Sequence, residues 1–222
     1  SIAEIKNFKV FLNQGNFFDK EKIDIKKLVI NDANFSLLRR DLKLLSVFKS
    51  KKFSDKKIKI NNTNIFFKDN LGEIISIIQI DKSVAFFDDK KLLNFLNLNG
   101  DIYNIPFNLN FQYQNDGARY EKIHFSSKPL KLNFYNESIV KNKLISGENN
   151  IFFLNSTINT KYNVKDKLII FKSDNSRVVN SKVSYNGELS INPFDLNLNI
   201  ELENHRISEL FNVNHILIEF IK

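Results

Sequence analysis

NGDIYNIPFNLN at Asn99–Asn110 and NGELSINPFDLN at Asn186–Asn197 are two versions of one phrase: Asn-Gly, then Pro-Phe starting six residues after the glycine, then Leu-Asn. Each phrase feeds an alternating segment. In the first, Phe107, Leu109, Phe111 and Tyr113 alternate with Asn108, Asn110, Gln112 and Gln114; in the second, Phe194, Leu196, Leu198, Ile200 and Leu202 alternate with Asp195, Asn197, Asn199, Glu201 and Glu203. Side chains on a strand point to opposite faces with period two, so each segment reads as a ribbon apolar on one side and polar on the other. A sheet assembled from such ribbons has a long apolar face to hide.

Parity carries a second signal. Before Pro193 the apolar set is odd-numbered (Val183, Tyr185, Leu189, Ile191) and after it even-numbered; Leu96, Leu98 and Ile102 precede Pro106 in the same inverted relation to Phe107–Tyr113. Within one strand a change of parity needs an extra residue, a β-bulge, which proline tolerates because it has no N–H to give to the ladder. A strand break at the proline accounts for the change equally well.

The remainder of the chain is also read mainly as strand. Ile23–Ile25 and Leu28–Ile30 lead into Ala33, Phe35 and Leu37, and Ile58, Ile60 and Ile65–Phe67 follow. Asn70-Leu-Gly72 is expected to turn Ile65–Lys68 into Glu73–Ile80, and Asn115-Asp-Gly117 to turn Phe107–Gln114 into Arg119–Phe125, because Asn and Gly supply the backbone angles of tight turns. Further strands are expected at Leu130–Phe134, Ile151–Leu154, Thr157–Tyr162, Lys167–Ser173, Arg177–Tyr185 and Glu188–Leu202. Asp41–Lys49, with Asp41 as N-cap, reads as a short helix, and residues 207–221 as one or two more. The expected fold is mainly β: an elongated, curled antiparallel sheet built from repeated strand units, with a few short helices. Residues 21–114 and 115–203 form the two units, and 204–222 open a third.

Composition excludes more than it selects. With 222 residues and 42% apolar content the chain is expected to fold, and Ser1 at its start with no Met anywhere suggests a piece of a longer protein. Its apolar runs fall short of the ~20 residues that span a bilayer. The net charge of +8 accompanies heavy use of Lys, Asn, Ile and Phe, a codon-driven pattern, and reads as a solvated surface with no nucleic-acid partner. No Cys exists for disulfides or thiolate metal sites. His124, His205 and His215 stand apart, Asp88-Asp89 and Asp69 with Glu73 fall in expected turns, and no glycine-rich phosphate loop or nucleophile elbow occurs. The expectation is a non-enzyme without cofactor or metal.

IDIKKLVINDANFSL at Ile23–Leu37, IKINNTNIFFKDN at Ile58–Asn70 and YNGELSINPFDLNLNIELENHRISELFN at Tyr185–Asn212 together resemble the AsmA-like family. Its strand phrases run apolar-x-apolar, short polar turn, apolar-x-apolar, with G-x-apolar-x-x-x-P-F before a long alternating strand. The resemblance implies a periplasmic protein, held at the inner membrane by an anchor outside this segment. It would conduct phospholipid along a hydrophobic β-groove toward an outer-membrane partner and so support outer-membrane biogenesis. On that reading Phe107, Leu109, Phe111, Tyr113, Phe194, Leu196, Leu198, Ile200 and Leu202 line the groove and touch acyl chains. The alternative is a non-catalytic structural or adhesive β-domain with a closed core.

Overall fold

The repeated phrase folds as a hairpin in both places. In the computed structural model, which describes residues 3–13, 24–43, 51–114 and 119–203, β5 (Leu93–Ile102) turns through Tyr103-Asn104 into β6 (Ile105–Gln114). Likewise β12 (Ser181–Ile191) turns through Asn192-Pro193 into β13 (Phe194–Glu203). Neither proline marks a bulge. Pro106 sits inside β6 opposite Asp101, and Pro193 is in the loop itself. The parity change follows from loop length: a two-residue loop pairs an even with an odd number, as in Leu98↔Leu109, Leu96↔Phe111, Leu189↔Leu196 and Val183↔Leu202. Apolar residues therefore stay on one face although their numbering inverts. The expected strand Glu188–Leu202 is accordingly two strands.

The chain divides into two compact units, Ser1–Gly117 and Ala118–Lys222. The first contains β1 (Ala3–Leu12), β2 (Ile25–Leu38), β3 (Lys57–Lys68), β4 (Ile74–Asp88), β5 and β6. The second contains β7 (Arg119–Ser127), β8 (Leu132–Lys141), β9 (Leu144–Phe153), β10 (Ser156–Lys165), β11 (Leu168–Val178), β12 and β13. In each, strand order follows chain order and the first and last strands are not neighbours, so both sheets are open. All described pairs are antiparallel except β2 with β3, which run parallel with Ile30 beside Ile60 and Asn31 beside Asn61. That pair places the related phrases of Ile23–Leu37 and Ile58–Asn70 side by side.

A 3-10 turn spans Arg39–Lys43, where the Asp41 carboxylate accepts from the Leu38 N–H at 3.0 Å, and the rest of the expected Asp41–Lys49 helix lies outside the described residues. The Asn115-Asp-Gly117 turn and the helices expected after residue 204 lie outside the described residues. Asp69 closes the first expected hairpin, accepting from the N–H groups of Leu71 and Glu73 at 2.8 and 2.9 Å.

A row of irregularities crosses β1 to β4. Asp32 (φ 53°) and Asn62 (φ 47°) interrupt β2 and β3 at one level, where the ladders also skip Lys6 in β1 and Asp81 in β4. Extra residues of this kind bend a strand. The row is tied by side-chain amides: Asn7 and Asn62 both donate to the Asp32 carboxylate, while Asn61 donates to Asn31 at 2.8 Å and Asn64 to Asn34 at 3.1 Å. Where β4 bends, its backbone closes on β5, and a Cβ on Gly100 would stand 2.1 Å from the Gln79 carbonyl oxygen. Gly187 is confined similarly, with the Asn197 carbonyl oxygen 2.4 Å from a Cβ.

The Asn-Gly of the phrase thus marks a backbone approach and not the turn. Gly100→Ala should destabilise the chain by at least about 3 kcal/mol, the upper range for overpacking, because a backbone oxygen cannot rotate away. Urea unfolding checks this. Leu71→Ala at the exposed hairpin tip should leave the midpoint nearly unchanged.

Candidate functional site: an uncovered apolar face

Following the register from strand to strand separates two faces in each unit. With the exception of Val29, the buried residues among those described all lie on one of them, here called the inner face. In the first unit it carries Leu28, Ile30, Phe35 and Leu37 on β2, Ile58, Ile60, Ile65 and Phe67 on β3, Ile78 and Ile80 on β4, and Leu96, Leu98 and Ile102 on β5. Phe107, Leu109, Phe111 and Tyr113 of β6 continue that face. Phe107, Leu109 and Phe111 are half-buried, Tyr113 is 4% exposed, and the Phe111 and Tyr113 rings stack with centroids 6.3 Å apart.

No second layer covers this face among the described residues. Its deepest positions are mostly small or polar, Ala33, Thr63 and Ser83, joined by Ile80 opposite Thr63 and by Tyr113, whereas the other large side chains of the face keep part of their surface in water. This is the profile of a bent single sheet, in which side chains crowd at the bend and fan out away from it.

The inner face of the second unit is built differently. Ile123, Phe125, Phe134, Ile151, Phe153, Ile158, Phe171 and Leu189 supply apolar area, and a polar line runs between them. Tyr162 donates to Asn136 Oδ1 at 2.7 Å, the Thr160 and Tyr185 hydroxyls are bonded, and Ser173 meets Ser176 at 2.7 Å. The Tyr162 and Phe171 rings lie across Gly147 and Gly187, where a Cβ would meet each ring at 2.7 Å. Glycine there lets an aromatic ring lie flat on the sheet. On β13, Phe194, Leu196, Leu198, Ile200 and Leu202 share this inner face but stand open, Phe194 at 76% and Leu198 at 42% exposed.

The outer faces are mixed: rows of Asn, Lys and Glu are interrupted by Val29, Phe66, Ile77, Phe86 and Phe95 in the first unit and by Ile139 and Ile170 in the second. In the second unit the outer face holds a shallow cleft of about 870 Å³ whose lining includes Tyr120, Glu137, Ile139, Lys161, Ile170 and Lys172. Leu196, Leu198 and Ile200 point away from it, since Asn197 and Asn199 line it and neighbours on a strand face opposite sides. Lys122 is bonded to Glu137, which raises the Lys122 pKa, and burial followed by the Glu137 charge raises that of the Tyr120 phenol.

The remaining polar candidates have structural roles. Asp88 accepts from the N–H groups of Lys90 and Lys91 in its turn, and His124 stacks on Tyr135 at 4.1 Å with Nε2 buried and unpartnered. His205 and His215 lie outside the described residues. No group of three metal-ligating side chains occurs among the described residues. The inner-face residues of β2 to β5 escaped the sequence reading as site candidates. Their signal is the echo of Leu28-x-Ile30-Asn31 in Ile58-x-Ile60-Asn61, a spacing that sets like residues side by side in the parallel pair.

Because the Tyr120 pKa is raised, the folded state keeps a proton that the unfolded chain loses as pH rises through the ordinary phenol range, and stability falls across that alkaline window. Phenolate absorbance, taken as the difference between the chain and Tyr120→Phe, should place this ionisation above the usual tyrosine range. Glu137→Gln should move it downward by removing a neighbouring negative charge. Compared with known proteins, the chain matches no family model, no curated protein and no solved structure.

Proposed function

We propose that the inner face is a hydrophobic groove that carries phospholipid acyl chains, and that the chain is a groove segment of an AsmA-like protein moving lipid between the inner and outer membranes. The observation that carries this reading is the uncovered face itself: a continuous apolar surface over β2 to β6 of the first unit, with most of its large side chains only partly buried and no second layer among the described residues. Soluble chains seldom leave so large an apolar surface without an occupant.

The chemistry requires no reaction. Acyl chains lie against Phe107, Leu109, Phe111 and Tyr113 in the first unit and Phe194, Leu196, Leu198, Ile200 and Leu202 in the second, while headgroups remain in water at the open side. Each buried CH₂ contributes about 0.8 kcal/mol. Because burial is non-directional, a chain displaced by one strand regains nearly the same contacts. Such a surface retains lipid without fixing its position, which is what conduction asks of it. Periplasmic location, an inner-membrane anchor outside this segment and a receiving partner at the outer membrane complete the proposal.

Photocrosslinking probes at Phe107 and Phe111 should capture phospholipid, and native mass spectrometry of the purified chain should find bound lipid. A lipid-free protein with no crosslink at either position would instead assign the domain a structural or adhesive role. Leu196→Asp with Leu198→Asp should abolish lipid capture by a probe at Ile200 with only a modest fall in the unfolding midpoint, because both leucines already keep nearly half of their surface in water.

A further inference from the structure

One end of the first unit is basic. The C-terminal end of β1, the N-terminal ends of β2 and β3, and the hairpin joining β4 to β5 meet there, as the pairs Leu12↔Ile25, Lys27↔Lys57 and Asp88↔Leu93 record. This end brings together Lys26, Lys27, Lys51, Lys52, Lys56, Lys57, Lys90 and Lys91 against Asp24, Asp55, Asp88 and Asp89. Among the described residues, the opposite end carries Arg39, Arg40, Lys43 and Lys68 against Glu4, Asp41, Asp69, Glu73 and Asp101. The asymmetry is held in place. Asn94, 3% exposed, donates to the Lys51 carbonyl at 2.9 Å and accepts from the Phe53 N–H at 2.7 Å, pinning the lysine-bearing segment before β3 to the start of β5.

Three aspartates are engaged: Asp24 by Lys56 at 2.7 Å, and Asp55 and Asp89 by Lys52 at 2.8 and 3.3 Å. Lys26, Lys51, Lys90 and Lys91 stand exposed outside those pairs. Apolar side chains are exposed among them, Phe11 at 39%, Leu12 at 40% and Leu92 at 46%. Basic groups interleaved with exposed apolar groups suit an anionic bilayer surface, where each lysine near the headgroups contributes attraction and the apolar groups reach the acyl boundary.

The same arrangement disfavours single-stranded nucleic acid. That ligand needs aromatic ring faces for base stacking. Here Lys27 sits 4.2 Å over Phe11, Lys52 4.0 Å over Phe87 and Lys57 5.2 Å over Phe86, so each ring already has an ammonium on a face.

We infer that this end of the first unit docks on the surface of an anionic phospholipid bilayer, setting that end of the inner face at headgroup level. The inference rests on the groove reading for its purpose, while its own geometry is independent of it.

The full chain, incubated with phosphatidylcholine vesicles with and without phosphatidylglycerol and then floated, should bind only the anionic vesicles, and less as salt rises. Replacing Lys26, Lys51, Lys90 and Lys91 by Gln should weaken binding about fivefold for each lysine. The same replacement of Lys141, Lys143, Lys165 and Lys167, at hairpins of the second unit, should have much less effect. Equal loss from both sets would overturn the docking site in favour of diffuse net charge. Binding to single-stranded DNA without binding to anionic vesicles would overturn it in favour of nucleic acid. Lipid crosslinking at Phe107 without vesicles separates the two readings. If that crosslink persists while vesicle binding is absent, docking alone fails; if vesicle binding persists while the crosslink is absent, the groove alone fails.

Discussion

The structure depends on a constraint of hairpin geometry. A two-residue loop returns the chain so that the residue before it pairs with the residue after it, and partners on one face then carry numbers of opposite parity until a register shift intervenes, as it does between Ser173 and Ser176. Six consecutive hairpins in the second unit obey this arithmetic, with Ser127↔Leu132, Lys141↔Leu144, Phe153↔Ser156, Lys165↔Leu168, Val178↔Ser181 and Ile191↔Phe194 as closing pairs. The first of them closes a longer loop of even length, which preserves the rule. An uncompensated odd loop would turn every later strand over and place its apolar residues on the polar side. Where β3 turns into β4 the closing pair Lys68↔Ile74 does enclose an odd loop, and a register shift beside it restores Phe67↔Ser76, so the inner face continues.

Bending is the second requirement, and the units meet it by different means. In the first, the row at Lys6, Asp32, Asn62 and Asp81 adds a residue per strand, and amides bonded across β1, β2 and β3 hold the row together. Small residues then occupy the tight side. Ala33 and Thr63 are nearly inaccessible because they sit where neighbouring strands crowd inward. In the second unit, aromatic rings laid over Gly147 and Gly187 fill the floor, and hydroxyl and amide groups satisfy one another within it. A polar line on an otherwise apolar surface survives there because each bonded pair avoids the cost of an orphaned group.

Much of this was legible in the sequence, and the failures are instructive. Period two along Phe107–Tyr113 and Phe194–Leu202 correctly put those residues on one face, since alternation is a direct image of the pleat. Of the two readings of the prolines, the bulge failed because it referred the parity change to a single strand, whereas the strand break held at Pro193, since a hairpin yields the same pattern without a defect. Turns were hard to see because several lack glycine: Tyr103-Asn104, Asn142-Lys143 and Asp166-Lys167 all adopt positive φ without one. The turn at Val179, φ 56°, was hidden inside an expected strand for that reason. Register between distant strands was also invisible, so the parallel pairing of β2 with β3 could be seen only as an echo between two phrases.

These features bear on why an open sheet persists without a second layer. Its large inner side chains bury one another only in part, so the apolar face contributes less to folding than a sandwich core of the same composition would. The backbone ladders, the amide rows and the tight glycine contacts must therefore supply the definition that core packing usually gives. They are directional and lie along the sheet, so they hold its shape whether or not anything lies on the inner face. On the proposed reading, a groove whose form is set from within its own wall exchanges one occupant for the next without unfolding, and its residual apolar exposure supplies the driving force for taking up the next one.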